Sequence, residues 1–256
     1  MNALILGGSR GVGFAISEQF AQVFQNICLA SRSLDNLKSA KKDLSKINPN
    51  VYEFAGDVSD VNFARSLSSF LTESNFGDID ILICNAGGPP QKNFLATSDE
   101  DWHSVIETSL LGQVRVVREF LPRMVEKKFG RIIFISSTVA KEPSPSMVLS
   151  ATARAGISAF SKAISGEFAK YNVTANVIYL GGVLTDRLHS LIANASDSQG
   201  VHIDEIRSNL VSGIPMGRFA EPKEIANLVS FLASNEAGYI TGASIVIDGG
   251  ITKGIF

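Results

Sequence analysis

Leu4-Ile5-Leu6-Gly7-Gly8-Ser9-Arg10-Gly11-Val12-Gly13 decides how the rest of the chain is read. The apolar run at 4–6 reads as a strand and the glycines as a turn. Phe14-Ala15-Ile16-Ser17-Glu18-Gln19-Phe20-Ala21 then follows at helical spacing. Strand, glycine turn and helix in that order make a phosphate site, because the free N–H groups of the turn and the positive end of the helix face one place. Gly7, Gly11 and Gly13 suit it because a Cβ would hold the backbone away from a diphosphate. Ser9, Arg10 and Val12 complete the turn, whose spacing is G-x-x-x-G-x-G.

Outward from that stretch the same alternation repeats. Further apolar runs lie at 27–30, 51–54, 79–84, 132–135, 175–178 and 244–247. They are mostly continuous rather than alternating, as strands covered on both faces should be. Helical patterns separate them. One opens at Thr97-Ser98-Asp99-Glu100, a capping-box pattern leading into an amphipathic run to about Lys127. Another begins near Glu221-Pro222-Lys223-Glu224, with proline at an early helical position. The expectation is an α/β protein with a Rossmann-type doubly wound parallel sheet of about seven strands, in one domain over 1–256.

Composition agrees with that class. The 256 residues are 45% hydrophobic, ample for one large core, and the formal net charge of −2 recommends no nucleic-acid partner. No apolar run approaches a membrane span, and the first strand begins too early to leave room for a signal peptide. Cys28 and Cys84 fall inside apolar runs and read as buried, inert thiols, which fits a reducing cytoplasmic compartment. No His/Cys grouping has metal-ligand spacing.

The second strand ends at Ala30-Ser31-Arg32-Ser33, about where a dinucleotide fold meets the adenosine ribose. An acidic residue there would bind the 2′-hydroxyl of NAD. Ser31 and Arg32 stand there instead, with Arg10 in the glycine turn, and two guanidinium groups favour the 2′-phosphate of NADP. Gly56-Asp57-Val58-Ser59 and Asn85-Ala86-Gly87-Gly88 follow the third and fourth strands, at the carboxyl ends where ligands bind in open sheets. Asp57 is placed to accept from an adenine amino group, and Asn85 to bridge neighbouring strands and leave Gly87 near a ribose.

These residues together resemble the short-chain dehydrogenase/reductase family, in particular its 3-oxoacyl-acyl-carrier-protein reductase-like members. The likeness spans nearly the whole chain. Besides the glycine turn, Asp57-Val58 and Asn85-Ala86-Gly87, it is carried by Ser136-Ser137, Asn176, Gly181-Gly182-Val183-Leu184-Thr185, Ile214-Pro215-Met216-Gly217-Arg218 and Asp248-Gly249-Gly250. It implies that Gly181, Val183 and Thr185 form the nicotinamide loop and that the segment at about 186–213 is a substrate lid. Homodimers or homotetramers through the long helices are also implied; the small residues Ala151, Ala153, Ala155, Gly156 and Ala159 would permit close helix packing there, or equally internal packing against the sheet.

The family's chemistry rests on an Asn, a Ser and a Tyr-x-x-x-Lys pair. Ser137 takes the serine position. Ser150-Ala151-Thr152-Ala153-Arg154 aligns with Tyr-x-x-x-Lys, which puts Ser150 at the tyrosine and Arg154 at the lysine. Ser109 falls at the asparagine, and Leu180 where the family usually has proline. A serine hydroxyl is a far weaker acid than a phenol, and an arginine does not relay protons as lysine does. Arg154 retains the capacity to hold ribose hydroxyls and to stabilise an alkoxide. Tyr179, Lys141, His189 and His202 are the other titratable groups near the expected site.

The function expected is an NADP-dependent oxidoreductase acting on a carbonyl/alcohol pair, an acyl thioester among the possible substrates, with non-standard proton transfer by Ser137, Ser150 and Arg154. The alternative is a catalytically impaired NADP-binding protein that serves as sensor or scaffold.

Overall fold

The computed structural model describes residues 1–255. Seven strands form one parallel sheet: β1 (Asn2–Leu6), β2 (Asn26–Ser31), β3 (Val51–Ala55), β4 (Ile81–Cys84), β5 (Gly130–Ser137), β6 (Val173–Leu180) and β7 (Ser244–Ile247). Their order is β3-β2-β1-β4-β5-β6-β7, so the winding reverses between β1 and β4. Each expected strand is present. The fourth starts at Ile81 rather than 79, because the preceding Asp80 carboxylate accepts from the Asn2 amide (2.8 Å) and pairs with Lys127.

Side chains of β1 explain the unbroken apolar runs. Leu4 and Leu6 point into one core with α3 (Phe63–Glu73), α5 (Gly112–Lys127) and α6 (Val148–Phe168). Ala3 and Ile5 point into the other, with α1 (Gly11–Ala21), α2 (Leu34–Leu44) and α9 (Pro222–Ala233). Both faces are buried, so neither parity of the strand is polar. Each large side chain buried there contributes roughly 1.5–3 kcal/mol, which fixes the register and with it the level at which the strand ends line up.

The helix expected from Thr97 to Lys127 is divided. Ser98, not Thr97, is the N-cap of α4 (Asp99–Ile106): its Oγ accepts from Asp101 N at 3.3 Å, and the Asp101 carboxylate accepts from Ser98 N at 2.9 Å. Thr97 is committed elsewhere, donating to the Phe94 carbonyl and accepting from Trp102 Nε1. Between α4 and α5 the chain makes a π-helical turn over Glu107–Leu111. Gln113 Nε2 donates to the Ser109 carbonyl there, at 2.7 Å. Such turns often mark functional sites, and this one carries Ser109. Glu221 and Pro222 begin α9 as expected, with a capping box closed by Glu224.

After β6, α7 (Asp186–Gln199) and α8 (Ile203–Ser212) pack on each other around their own small cluster of Ile192, Ile206, Ile214 and Phe219. A bridge between Val183 and Ala220 closes the base of this excursion. No helix among the described residues is long and apolar enough to cross a membrane.

Candidate active site

The carboxyl ends of the strands open into a cleft of about 790 Å³, within the range of small-molecule and cofactor sites. The glycine turn forms its floor. Gly7 has φ +64°, and a Cβ there would strike the Asn85 backbone; a Cβ on Gly13 would drive into the Gly7 carbonyl. The turn is thus folded as tightly as its glycines permit; the Gly7 N–H donates to the Ala30 carbonyl at 2.7 Å, which leaves the N–H groups of the following residues to meet an anion. Gly13 lies beneath the turn and does not line the cleft, whereas Gly7, Ser9, Arg10, Gly11 and Val12 do. Asn85 Nδ2 donates to the Gly7 carbonyl at 3.4 Å and joins the ends of β1 and β4 at the point where the winding reverses.

At one end of the cleft stand Arg10, Ser31, Arg32, Asp57 and Val58. Ser9 Oγ and Ser31 Oγ lie 3.0 Å apart and join the first turn to the second. Burial works to raise the Asp57 carboxyl. Hydrogen bonds from Ser59 N and Oγ, with the charge of Arg32, outweigh it and hold the group below the ordinary carboxylate range. Neither Arg10 nor Arg32 has a carboxylate within salt-bridge distance among the described residues. This end therefore offers two free guanidinium groups.

At the other end the cleft gathers Ala86, Gly87, Ser137, Ser150, Arg154, Gly181, Val183 and Thr185. A Cβ on Gly87 would meet nothing within 4 Å, so its backbone faces open space. Ser150 and Arg154 lie one turn apart on α6, and Arg154 Nε donates to Ser150 Oγ at 3.0 Å. Ser150 is 4% exposed. Burial, with a smaller contribution from the Arg187 charge, pulls the Arg154 guanidinium down to about 10, so it is a full cation at neutral pH.

Behind Arg154 lies a second cavity of about 10 Å³, lined by Ser109, Gln113, Ser136 and Arg154 among others. Gln113 Oε1 and Ser136 Oγ are buried there without a protein partner. A polar cavity of that size accommodates about one water.

The ionisable residues lining the large cleft are Arg10, Arg32, Arg154, Arg187, Asp57 and Asp186; no tyrosine, lysine or histidine is among them. Tyr179, Lys141, His189 and His202 stay outside. Tyr179 is 4% exposed in the core and its hydroxyl donates to Ser158 Oγ at 2.7 Å, while His202 caps α8. Among the residues of these two cavities that the sequence did not mark as site residues are Arg187, Gln113 and Ser136, the last read only as part of the family resemblance. For Arg187 a signal existed, since a cation in the first turn of a helix opposes the macrodipole. For the other two none did, because their burial depends on distant elements.

Some residues that carry the family resemblance hold the scaffold instead. Asn176 donates to the Ile240 carbonyl and accepts from Ala243 N, and Arg218 pairs with Glu224 at the start of α9.

A seven-stranded Rossmann sheet with a glycine turn at its winding reversal defines a dinucleotide-binding class of protein. Comparison with known proteins narrows the class. The family model described as enoyl-(acyl carrier protein) reductase matches residues 7–252. The NADPH-dependent reductase BacG of Bacillus subtilis is 33% identical over 255 residues, covering 99% of this chain and 98% of that one. The 3-oxoacyl-[acyl-carrier-protein] reductase FabG of Chlamydia muridarum is 36% identical over 251 residues, 97% and 96% of the two chains. The crystal structure of L-sorbose reductase from Gluconobacter frateurii, complexed with NADPH and L-sorbose, superposes with a TM-score of 0.94 at 30% identity, covering 99% and 97%. The chain belongs to the short-chain dehydrogenase/reductase family.

Proposed function

We propose that the chain is an NADPH-dependent oxidoreductase acting on a carbonyl/alcohol pair, with proton transfer that does not use a phenol. The observation that carries this reading is one continuous cleft that runs from Arg10 and Arg32, past the glycine turn, to Ser137, Ser150 and Arg154. The NADPH named for BacG and for the sorbose reductase complex supports the choice of cofactor. When bound, the cofactor supplies a hydride.

In this reading the N–H groups of the glycine turn hold the diphosphate. Arg10 and Arg32 hold the 2′-phosphate, Asp57 and Val58 border the adenine, and Asn85, Ala86 and Gly87 lie along the ribose. Gly181, Val183 and Thr185 shape the nicotinamide site. Arg154 and Ser137 donate hydrogen bonds to the substrate oxygen as negative charge develops on it. Ser150 holds the Arg154 fork through Nε. The proton that completes the alcohol comes from water, because no cleft residue titrates as a phenol or an imidazole. The unpartnered Ser136 Oγ and Gln113 Oε1 beside Arg154 support a water-mediated supply. The segment at 186–213 acts as a lid hinged at the Val183–Ala220 bridge. The chain works as a homodimer or homotetramer. Ala155 and Ala159 are exposed on α6, whereas Ala151 and Ala153 are buried, so only the former pair is free to meet another copy.

The burial of Ser150 favours a second reading, an NADPH-binding sensor or scaffold without turnover. One experiment separates the two. NADPH oxidation is followed against ketones, β-ketoacyl thioesters and quinones, for the wild type and for Ser150→Tyr/Arg154→Lys. Turnover by the wild type supports the reductase. Silence of the wild type with confirmed NADPH binding, and activity in the double variant, supports the sensor.

A further inference from the structure

The substrate end of the cleft holds more positive charge than a neutral carbonyl compound calls for. Two guanidinium groups line it, Arg154 from α6 and Arg187 from the first turn of α7. Neither has a carboxylate within salt-bridge distance among the described residues. Arg154 donates to the neutral Ser150 Oγ at 3.0 Å. Arg187 donates to two backbone carbonyls across the cleft, Gly88 O at 3.1 Å and Pro89 O at 3.5 Å. The two cations repel each other, and Arg187 also faces the positive end of its own helix. Asp186 is the one acidic residue lining this end, and among the described residues it pairs with neither.

The cofactor's charge does not answer this excess. In the reading above the diphosphate meets the glycine turn and the 2′-phosphate meets Arg10 and Arg32, which leaves the nicotinamide end without an anion. Like charges kept together in a partly desolvated cleft are stabilised when a counter-charge arrives. A guanidinium fork fits a carboxylate, which it can bind through two parallel hydrogen bonds.

We propose that the substrate is an oxo acid, a carbonyl compound carrying its own carboxylate, and that Arg187 together with Arg154 seats that carboxylate. The inference rests on the carbonyl-reductase reading of the same site and adds the substrate class to it. In a 2-oxo acid the two functions are adjacent, so the groups that bind the carboxylate also orient the ketone oxygen. Because Arg187 belongs to the proposed lid and already reaches Gly88 and Pro89, a carboxylate beneath it ties α7 to the opposite wall.

The test titrates the whole protein, with and without saturating NADPH, using 2-oxohexanoate and methyl 2-oxohexanoate. Binding is read by thermal shift and by the fluorescence of bound NADPH, and turnover by NADPH oxidation. The acid is expected to bind at least about tenfold tighter than the ester, the lower end of what one charge-assisted pair contributes. Arg187→Ala should remove that preference while NADPH affinity stays within about twofold, and Arg187→Lys should restore part of it. Equal binding of acid and ester, binding of neither, or a loss of NADPH affinity in Arg187→Ala as large as the loss of acid affinity each overturns the proposal. If the wild type fails to bind NADPH, the reductase reading fails. A preference for acid over ester in the cofactor-free protein then still supports the anion pocket.

Discussion

Arg154→Met should make the ligand-free protein more stable while disabling its site. Methionine keeps most of the aliphatic stem and removes a charge that has no acidic partner. Burial brings this guanidinium down from its ordinary value to about 10. At ~1.4 kcal/mol per pH unit the lowering sets a ceiling of roughly 3.5 kcal/mol on the cost of keeping the cation in place. The side chain retains some solvent contact, which reduces the cost to roughly 1–2 kcal/mol. For a chain of this size that corresponds to a rise in Tm of roughly 2–8 °C.

The sign follows from the direction of the shift. The folded state binds the Arg154 proton less tightly than the unfolded state, so the penalty is fully present below pH about 10 and fades as pH rises above it. The gain in Arg154→Met over wild type should therefore shrink above that pH. Differential scanning fluorimetry of the cofactor-free proteins at pH 7 and at pH 11 measures both effects. A variant that melts several degrees below wild type at pH 7 would show that Arg154 contributes net stabilising contacts, and the claim of an uncompensated charge waiting for a ligand would fail.

Other substitutions probe separate parts of the cleft. Arg32→Asp should lower NADPH affinity by about tenfold or more and bring NADH to parity or better, read by fluorescence titration, since a charged hydrogen bond contributes about 1.5–3 kcal/mol. Gly13→Ala should abolish binding of both dinucleotides and lower Tm, because the added methyl meets a backbone carbonyl that cannot move without unfolding the turn. Cys28 and Cys84 should resist a thiol reagent until the protein is denatured. Both are fully buried, and burial pushes their thiols well above the ordinary range.

The parts of the molecule legible in the sequence are those set by local pattern. Leu4, Ile5 and Leu6 sit in a strand buried on both faces, and that alone makes the run continuous; the same holds for β2, β4, β5 and β6, whereas the edge strands β3 and β7 are only partly buried. The glycine turn is legible because three residues without a Cβ at that spacing have few other uses. What escaped depends on contacts between distant segments. Nothing in Glu107–Leu111 marks a π-helical turn, since one extra residue in a helix barely disturbs an apolar stripe. Ser98 displaced Thr97 as the cap because Trp102 and the Phe94 carbonyl claim the threonine hydroxyl. Gln113 and Ser136 became neighbours of Arg154 only when α5, β5 and α6 packed together. Arg187 reached the cleft because α7 folds back over the strand ends.

The central claim is that this cleft grips a dinucleotide at its diphosphate by the first turn and at its 2′-phosphate by Arg10 and Arg32. Equilibrium titration of the purified wild type with NADPH and with NADH, at fixed ionic strength, tests it most directly. Saturable NADPH binding at least about tenfold tighter than NADH is the predicted result. Equal affinities would contradict the assignment of the two arginines, and no binding of either at millimolar concentration would contradict the whole account.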